Sequence, residues 1–134
     1  MTDGILRVES STYNGALAEH SDTGEVRAPG ESVRVLDQSA WIPCSLKMGT
    51  KCKVESGTSF AAPLVTGIAS QVLRIYESMP FFQKLKPEDR VSLMSQTIHA
   101  SQVNGVVNGK RAVEIAEKWN QDSRHRGEPA KMPE

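Results

Sequence analysis

The stretch that most constrains this chain is the run from Ser59 to Tyr76. Ala61, Leu64, Val65, Ile68, Ala69, Val72, Leu73 and Tyr76 recur there at three- and four-residue steps. That is the period of a helix with one broad apolar face. The run predicts one long, mostly buried helix, and Gly67 and Ser70 allow a strand or sheet to approach it closely. Pro63 falls near its start, where a missing N–H costs at most about one ladder bond, against roughly 3 kcal/mol for a proline in mid-helix. Glu55-Ser56-Gly57-Thr58-Ser59 precedes it directly, so a glycine-hinged turn delivers a serine onto the helix's first turn.

A chain of 134 residues is long enough for one domain, or part of one, with a modest core. Sixteen basic residues balance sixteen acidic ones, with no long block of either sign. That leaves no electrostatic footprint for nucleic acid or an anionic membrane surface. Phe60 to Tyr76 contains Thr66, Ser70, Gln71 and Arg74 and falls short of the roughly 18 uncharged residues of a membrane span. Met1-Thr2-Asp3-Gly4 has neither a basic segment nor a following apolar one, so no secretory signal is read here and the compartment stays unassigned. Cys44 and Cys52 flank Gly49. The spacing suits the two ends of a hairpin, bridged or as two free thiols, and matches no zinc ligand set. No metal or cofactor is implied.

In chain order, Ile5 to Glu9 reads as a strand running into the turn formers Ser10 to Gly15, and Ala16 to His20 reads as a short return strand after Asn14-Gly15. Ser21 to Glu25 is turn chemistry, and Val26 to Gly30 continues it, with Pro29 ruling out an interior ladder position. Val33 to Leu36 is a further strand, and Asp37 to Val54 a surface hairpin. Met79-Pro80 stops the long helix. Pro87-Glu88-Asp89 opens the next, with two acids at the positive end of its dipole and Val91, Met94 and Ile98 as its inner stripe. A last short helix around Ala112 to Ala116 ends near Trp119. Residues 1–119 form the folded portion, and the polar segment 120–134 reads as a disordered tail.

A serine hydroxyl is a useful nucleophile only when it is fixed in direction, when a base takes its proton and when donors await the oxyanion. A helix N-terminus supplies the first and part of the third, because unsatisfied N–H groups converge there. An isolated Gly-Thr-Ser is more often a helix cap. The longer string Ser56-Gly57-Thr58-Ser59-x-Ala61-x-Pro63, continuing through Val65 and Gly67, resembles the catalytic-serine signature of the subtilisin-like serine peptidases, the subtilase family. Leu17 to Gly24, Ala28-Pro29-Gly30, Leu85 to Met94 and Asn108-Gly109 with Ala112 are similar to flanking stretches of that family in the same order. Phe60 stands where the family has methionine, and Leu64 where it has histidine. The resemblance implies an α/β fold, the later part of a doubly wound catalytic domain: short strands, then a long central helix and two shorter helices. It also implies that Ser59 is the acyl-forming nucleophile of an endopeptidase acting on peptide or protein substrates, its own N–H being half of the oxyanion hole.

The family carries its aspartate, histidine and oxyanion asparagine ahead of the serine. Asp22-Thr23-Gly24 lacks the preceding apolar strand, and no His-Gly follows it before Ser59, so it reads as a surface turn. His20, His99 and His125 have no neighbours that would orient them as a base. Asn14, followed by Gly15, reads as a turn residue. Ser59 is therefore the one catalytic residue expected, in an incomplete catalytic domain that is inactive alone and partnered by the missing N-terminal half. The alternatives are a non-catalytic relic or interaction module on the same scaffold, and an α/β binding domain with a chance serine motif.

Overall fold

The computed structural model describes residues 4–36, 42–43 and 51–126. Its elements run β1 (Val8–Ser11), β2 (Val26–Pro29), β3 (Val33–Leu36), β4 (Ile42–Pro43), β5 (Lys51–Glu55), α1 (Thr58–Glu77), α2 (Pro80–Lys84), α3 (Pro87–Ala100) and α4 (Gly109–Arg126). The architecture is α/β. β1 and β2 pair in parallel, from Val8 opposite Val26 to Ser11 opposite Pro29. β5 is the centre of a separate antiparallel sheet, with Leu36 of β3 and Ile42 of β4 both opposite Cys52. Val26–Pro29, expected to continue the turn, is instead the strand β2; Pro29 stands at its end, where its missing N–H interrupts nothing, so the proline does not prevent pairing.

The expected return strand at Ala16 to His20 does not form. The chain turns at Gly15 (φ +89°) and makes a single bridge between Ser11 and Leu17. The reason is topological: a parallel partner must start beside the beginning of β1, so the chain has to travel back along β1 before pairing. On the way it covers the outer edge of β1 at Ser10, whose carbonyl accepts from the Ala18 N–H at 2.9 Å and whose N–H donates to Ser21 Oγ at 2.7 Å. Glu25 N–H then bonds to the Arg7 carbonyl at 2.8 Å and opens β2. An ion pair between Arg27 Nε and Glu9 Oε1 at 2.8 Å ties the two strands, and Arg27 Nη1 also donates to the Gly15 carbonyl.

The hairpin expected between Asp37 and Val54 appears as β4 against β5, while residues 37–41 and 44–50 lie outside the described part. Cys52 is disulfide-bonded, and the chain contains one other cysteine, Cys44.

α1 packs two clusters along its length. Its first half sits on the parallel strands, where Ala61 and Val65 meet Val26, Ala28, Ile98 and Val107. Its second half joins Val72 and Tyr76 to Phe82, Leu93, Ala112, Ala116 and Trp119. Each large apolar side chain buried this way contributes about 1.5–3 kcal/mol. Ala112 and Ala116, both wholly buried, lie four apart on α4 and let it approach α1 closely. The later helices differ from expectation in three ways. Pro80 not only ends α1 but stands first in the five-residue α2, because proline's fixed φ suits a first turn. α4 is no short helix: it runs past Trp119 to Arg126. Trp119 is 4 % exposed and packs edge-on against Tyr76 at 5.6 Å, so tertiary packing carries the helix through the position where the polar sequence suggests a stop. Finally, α3 turns Leu93, Thr97 and Ile98 inward and leaves Val91 36 % exposed. No helix among the described residues is long and apolar enough to cross a membrane.

One buried polar pair anchors α1 to α3. Thr97 Oγ1 donates to the Leu93 carbonyl at 2.8 Å, so its single proton is committed and the 2.6 Å contact with Tyr76 must be donated by the phenol. Burial, which disfavours the charged phenolate, raises the Tyr76 pKa. A folded pKa above the unfolded value means that the contribution is intact below about pH 10 and is lost as pH rises through the folded pKa. Thr97→Val, which strands the buried phenol without a partner, is expected to destabilise by about 1–3 kcal/mol; Tyr76→Phe removes the donor and leaves the Thr97 bond to Leu93 in place, at about 1 kcal/mol. Chemical denaturation of both variants at pH 7 and pH 11 checks the order, and Tyr76→Phe should flatten the alkaline loss.

Candidate functional site

The stretch before α1 is seated on the end of β2 by two backbone-anchored contacts. The Gly57 N–H donates to the Gly30 carbonyl at 2.7 Å, and the Ser32 N–H donates to Ser56 Oγ at 2.8 Å. Both anchors follow from local sequence. Gly57 adopts φ +150°, a conformation that side chains disfavour, which lets the chain pass from β5 into the helix without a spacer. Gly30 is buried, and a Cβ there would lie 2.7 Å from the Gly57 carbonyl oxygen and closer still to Ser10 Oγ. Only glycine lets the two backbones and Ser10 meet. Ser32, at φ +54°, turns its N–H toward Ser56.

This places Ser59 at the carboxyl ends of the two parallel strands, where open α/β sheets bind their ligands. Ser59 is the second residue of α1 and is exposed. Its hydroxyl makes no hydrogen bond among the described residues. The Phe60 N–H turns back to the Gly57 carbonyl at 3.0 Å, while α1 has neither a side-chain cap nor an acidic residue in its first turn. The positive end of a 20-residue helix is therefore open beside an exposed hydroxyl, an arrangement that favours a developing negative charge. Pro63, four residues on, has no N–H to offer the Ser59 carbonyl, so the first turn is also looser there than a regular helix. Ser10 and Ser11, one strand away, are buried and their hydroxyls have no partner among the described residues.

The other candidates are not gathered around Ser59. His20 is exposed in the turn after Ala18, and His99 is exposed near the end of α3. Neither imidazole has a hydrogen bond among the described residues, and the His125 side chain lies outside them. Asp22 is exposed in the turn that precedes β2, with Ser21 Oγ donating to its carbonyl and the Gly24 N–H reaching Glu9 Oε2 at 3.3 Å. Asn14 Oδ1 accepts from Thr12 Oγ1 within its own turn. No group of three or more His, Cys, Asp or Glu side chains able to hold a metal ion occurs among the described residues. The clamp of Gly30 and Ser32 on Gly57 and Ser56 is the part that sequence reasoning missed. The motif Ala28-Pro29-Gly30 was its only signal, and a pairing across so many residues has no local periodicity.

No curated protein and no solved structure matches this chain. The family model described as "Subtilase family" matches residues 2–114, which takes in β1, β2, the serine loop, α1 and most of what packs on them. The chain belongs to the subtilase family.

Proposed function

We propose that Ser59 is the acyl-forming nucleophile of a serine endopeptidase, and that this chain supplies the later part of its catalytic domain. The observation that carries the reading is the exposed Ser59 hydroxyl at the open N-terminus of α1, seated on the carboxyl ends of the parallel strands. In the reaction, Ser59 Oγ attacks the scissile carbonyl carbon while a histidine outside this chain takes its proton. The negative charge that develops on the carbonyl oxygen is stabilised in part by the Ser59 N–H and the helix dipole. Collapse of the tetrahedral intermediate breaks the C–N bond, and the histidine returns the proton to the leaving amine. Water, activated by the same base, then releases the acyl group from Ser59.

The acid, the base and the second oxyanion donor belong, in this reading, to a companion N-terminal half, whether it precedes residue 1 in the same polypeptide or comes as a separate chain. Peptide or protein is the substrate, and no cofactor takes part. The lack of any described base in contact with Ser59 favours a second reading, a non-catalytic relic or interaction module on the subtilase scaffold. The two are separated by adding to this chain a segment that carries Asp-Ser/Thr-Gly, His-Gly-Thr and the oxyanion asparagine. Peptide hydrolysis together with stoichiometric fluorophosphonate labelling at Ser59 is expected of the peptidase, and a folded but unreactive complex is expected of the relic.

A further inference from the structure

The structure assigns a second site, away from Ser59, to a small amphiphilic carboxylate. A cavity of about 370 Å³ opens between α1, α3 and the segment leading into β1. Its walls are apolar, chiefly Leu6, Ala69, Leu73, Phe82, Met94 and Ile98, and its volume is in the range of small-molecule pockets. Two polar groups converge on it without being used up. Ser95 lines the cavity, and its hydroxyl makes no hydrogen bond among the described residues, which leaves it free to bond to an occupant. Arg90 lines the same wall and is held rigidly there. Its Nε donates to the Phe82 carbonyl at 3.1 Å, its Nη2 to the Gln83 carbonyl at 2.6 Å, and its guanidinium carbon lies 5.6 Å from the centre of the Phe82 ring.

The Nη1 donors of Arg90 are left without a partner among the described residues. A fixed guanidinium with a free edge above an apolar wall matches a carboxylate head on an apolar body, since charge-assisted bonds to a pre-positioned arginine are the strong ones. Glu77 borders the cavity too. Its carboxylate is exposed, has no partner among the described residues and can swing into solvent, whereas Arg90 is pinned by two carbonyls and cannot. The head group is therefore selected by Arg90, with Glu77 opposing it weakly. The occupant is a monocarboxylic acid with an aliphatic chain. This site depends on nothing at Ser59.

The test titrates the full chain with octanoate, 1-octanol and octylamine and follows the methyl resonances of Leu73, Met94 and Ile98. Octanoate is expected to shift these signals saturably, with the alcohol and the amine at least about tenfold weaker. Glu77→Gln should tighten octanoate and leave octanol unchanged. Arg90→Gln should erase the preference for the carboxylate, and Arg90→Lys should keep part of it. Should loss of the Arg90 anchors unfold α2, Met94→Trp, which fills the cavity, is expected to abolish octanoate binding without loss of helix. Equal affinity for all three ligands would mean a mere apolar patch, and shifts elsewhere or no dispersed methyl signals would mean no such site. Any of these outcomes overturns the proposal.

Discussion

Gly30→Ala is expected to lower stability by about 2–4 kcal/mol and to release the serine loop. The added Cβ would sit 2.7 Å from the Gly57 carbonyl oxygen, which is backbone and cannot rotate away, and would overlap Ser10 Oγ, which is wholly buried. Overpacking of this kind costs about 1–3 kcal/mol, and the hydrogen bond from Gly57 to Gly30 that is lost with it adds about 1 kcal/mol. For a domain of this size that corresponds to a fall in melting temperature of roughly 10 °C. Gly67→Ala is the control. It lies mid-helix on the exposed face, where no described strand makes the approach that the sequence suggested, with nothing within 4 Å of its Cβ, so replacing it should stabilise by about 0.5–1 kcal/mol through helix propensity alone. Hydrogen exchange at the Gly57 amide separates local from global effects. Protection should vanish in Gly30→Ala well below the melting transition and persist in Gly67→Ala. Ser10→Gly in the Gly30→Ala background should recover only part of the loss, because it removes one of the two clashes.

How far the fold was legible follows from where its determinants lie along the chain. α1 was legible because its apolar period runs from Ala61 to Tyr76 and all four of its buried residues, Ala61, Val65, Val72 and Tyr76, are on that period, although Leu64 on the same period is exposed. β3 and the start of α3 were legible from similarly local signals. The return strand at Ala16 to His20 was misread because Asn14-Gly15 marks a turn but does not say which strand comes back to pair. The parallel partner β2 arrives only after a loop, and its register is fixed by Gly24 lying close against the backbone of β1. The far end of α4 was misread because its polar residues gave no reason to continue, whereas Trp119, packed on Tyr76 and Phe81, supplies the reason from another part of the chain. For the site the same division holds. Ser59 is a candidate drawn from the string around it; the clamp that seats its loop, Gly57 on Gly30 and Ser56 on Ser32, was not visible there.

The largest effect is expected at Ser59 itself, and it depends on the companion half. This chain alone should hydrolyse no peptide and should not react with a fluorophosphonate above the rate of a free serine, since a serine without its base is a poor nucleophile. Loss of a triad serine or histidine costs a serine peptidase about six orders of magnitude in turnover, and loss of one oxyanion donor about 10²–10³. Joined to a segment that carries the acid, base and oxyanion asparagine, the chain is expected to gain most of that activity, and Ser59→Ala should remove it again to within the residual that the oxyanion donors provide. Thr58→Ala is the informative neighbour. It alters the same helix turn without touching the proposed nucleophile, so a large loss there as well would point to folding of the loop instead of chemistry. The melting temperature of each joined variant decides between the two: Ser59→Ala should melt within a degree or two of the parent, because its exposed hydroxyl holds nothing in the described structure, while its turnover disappears.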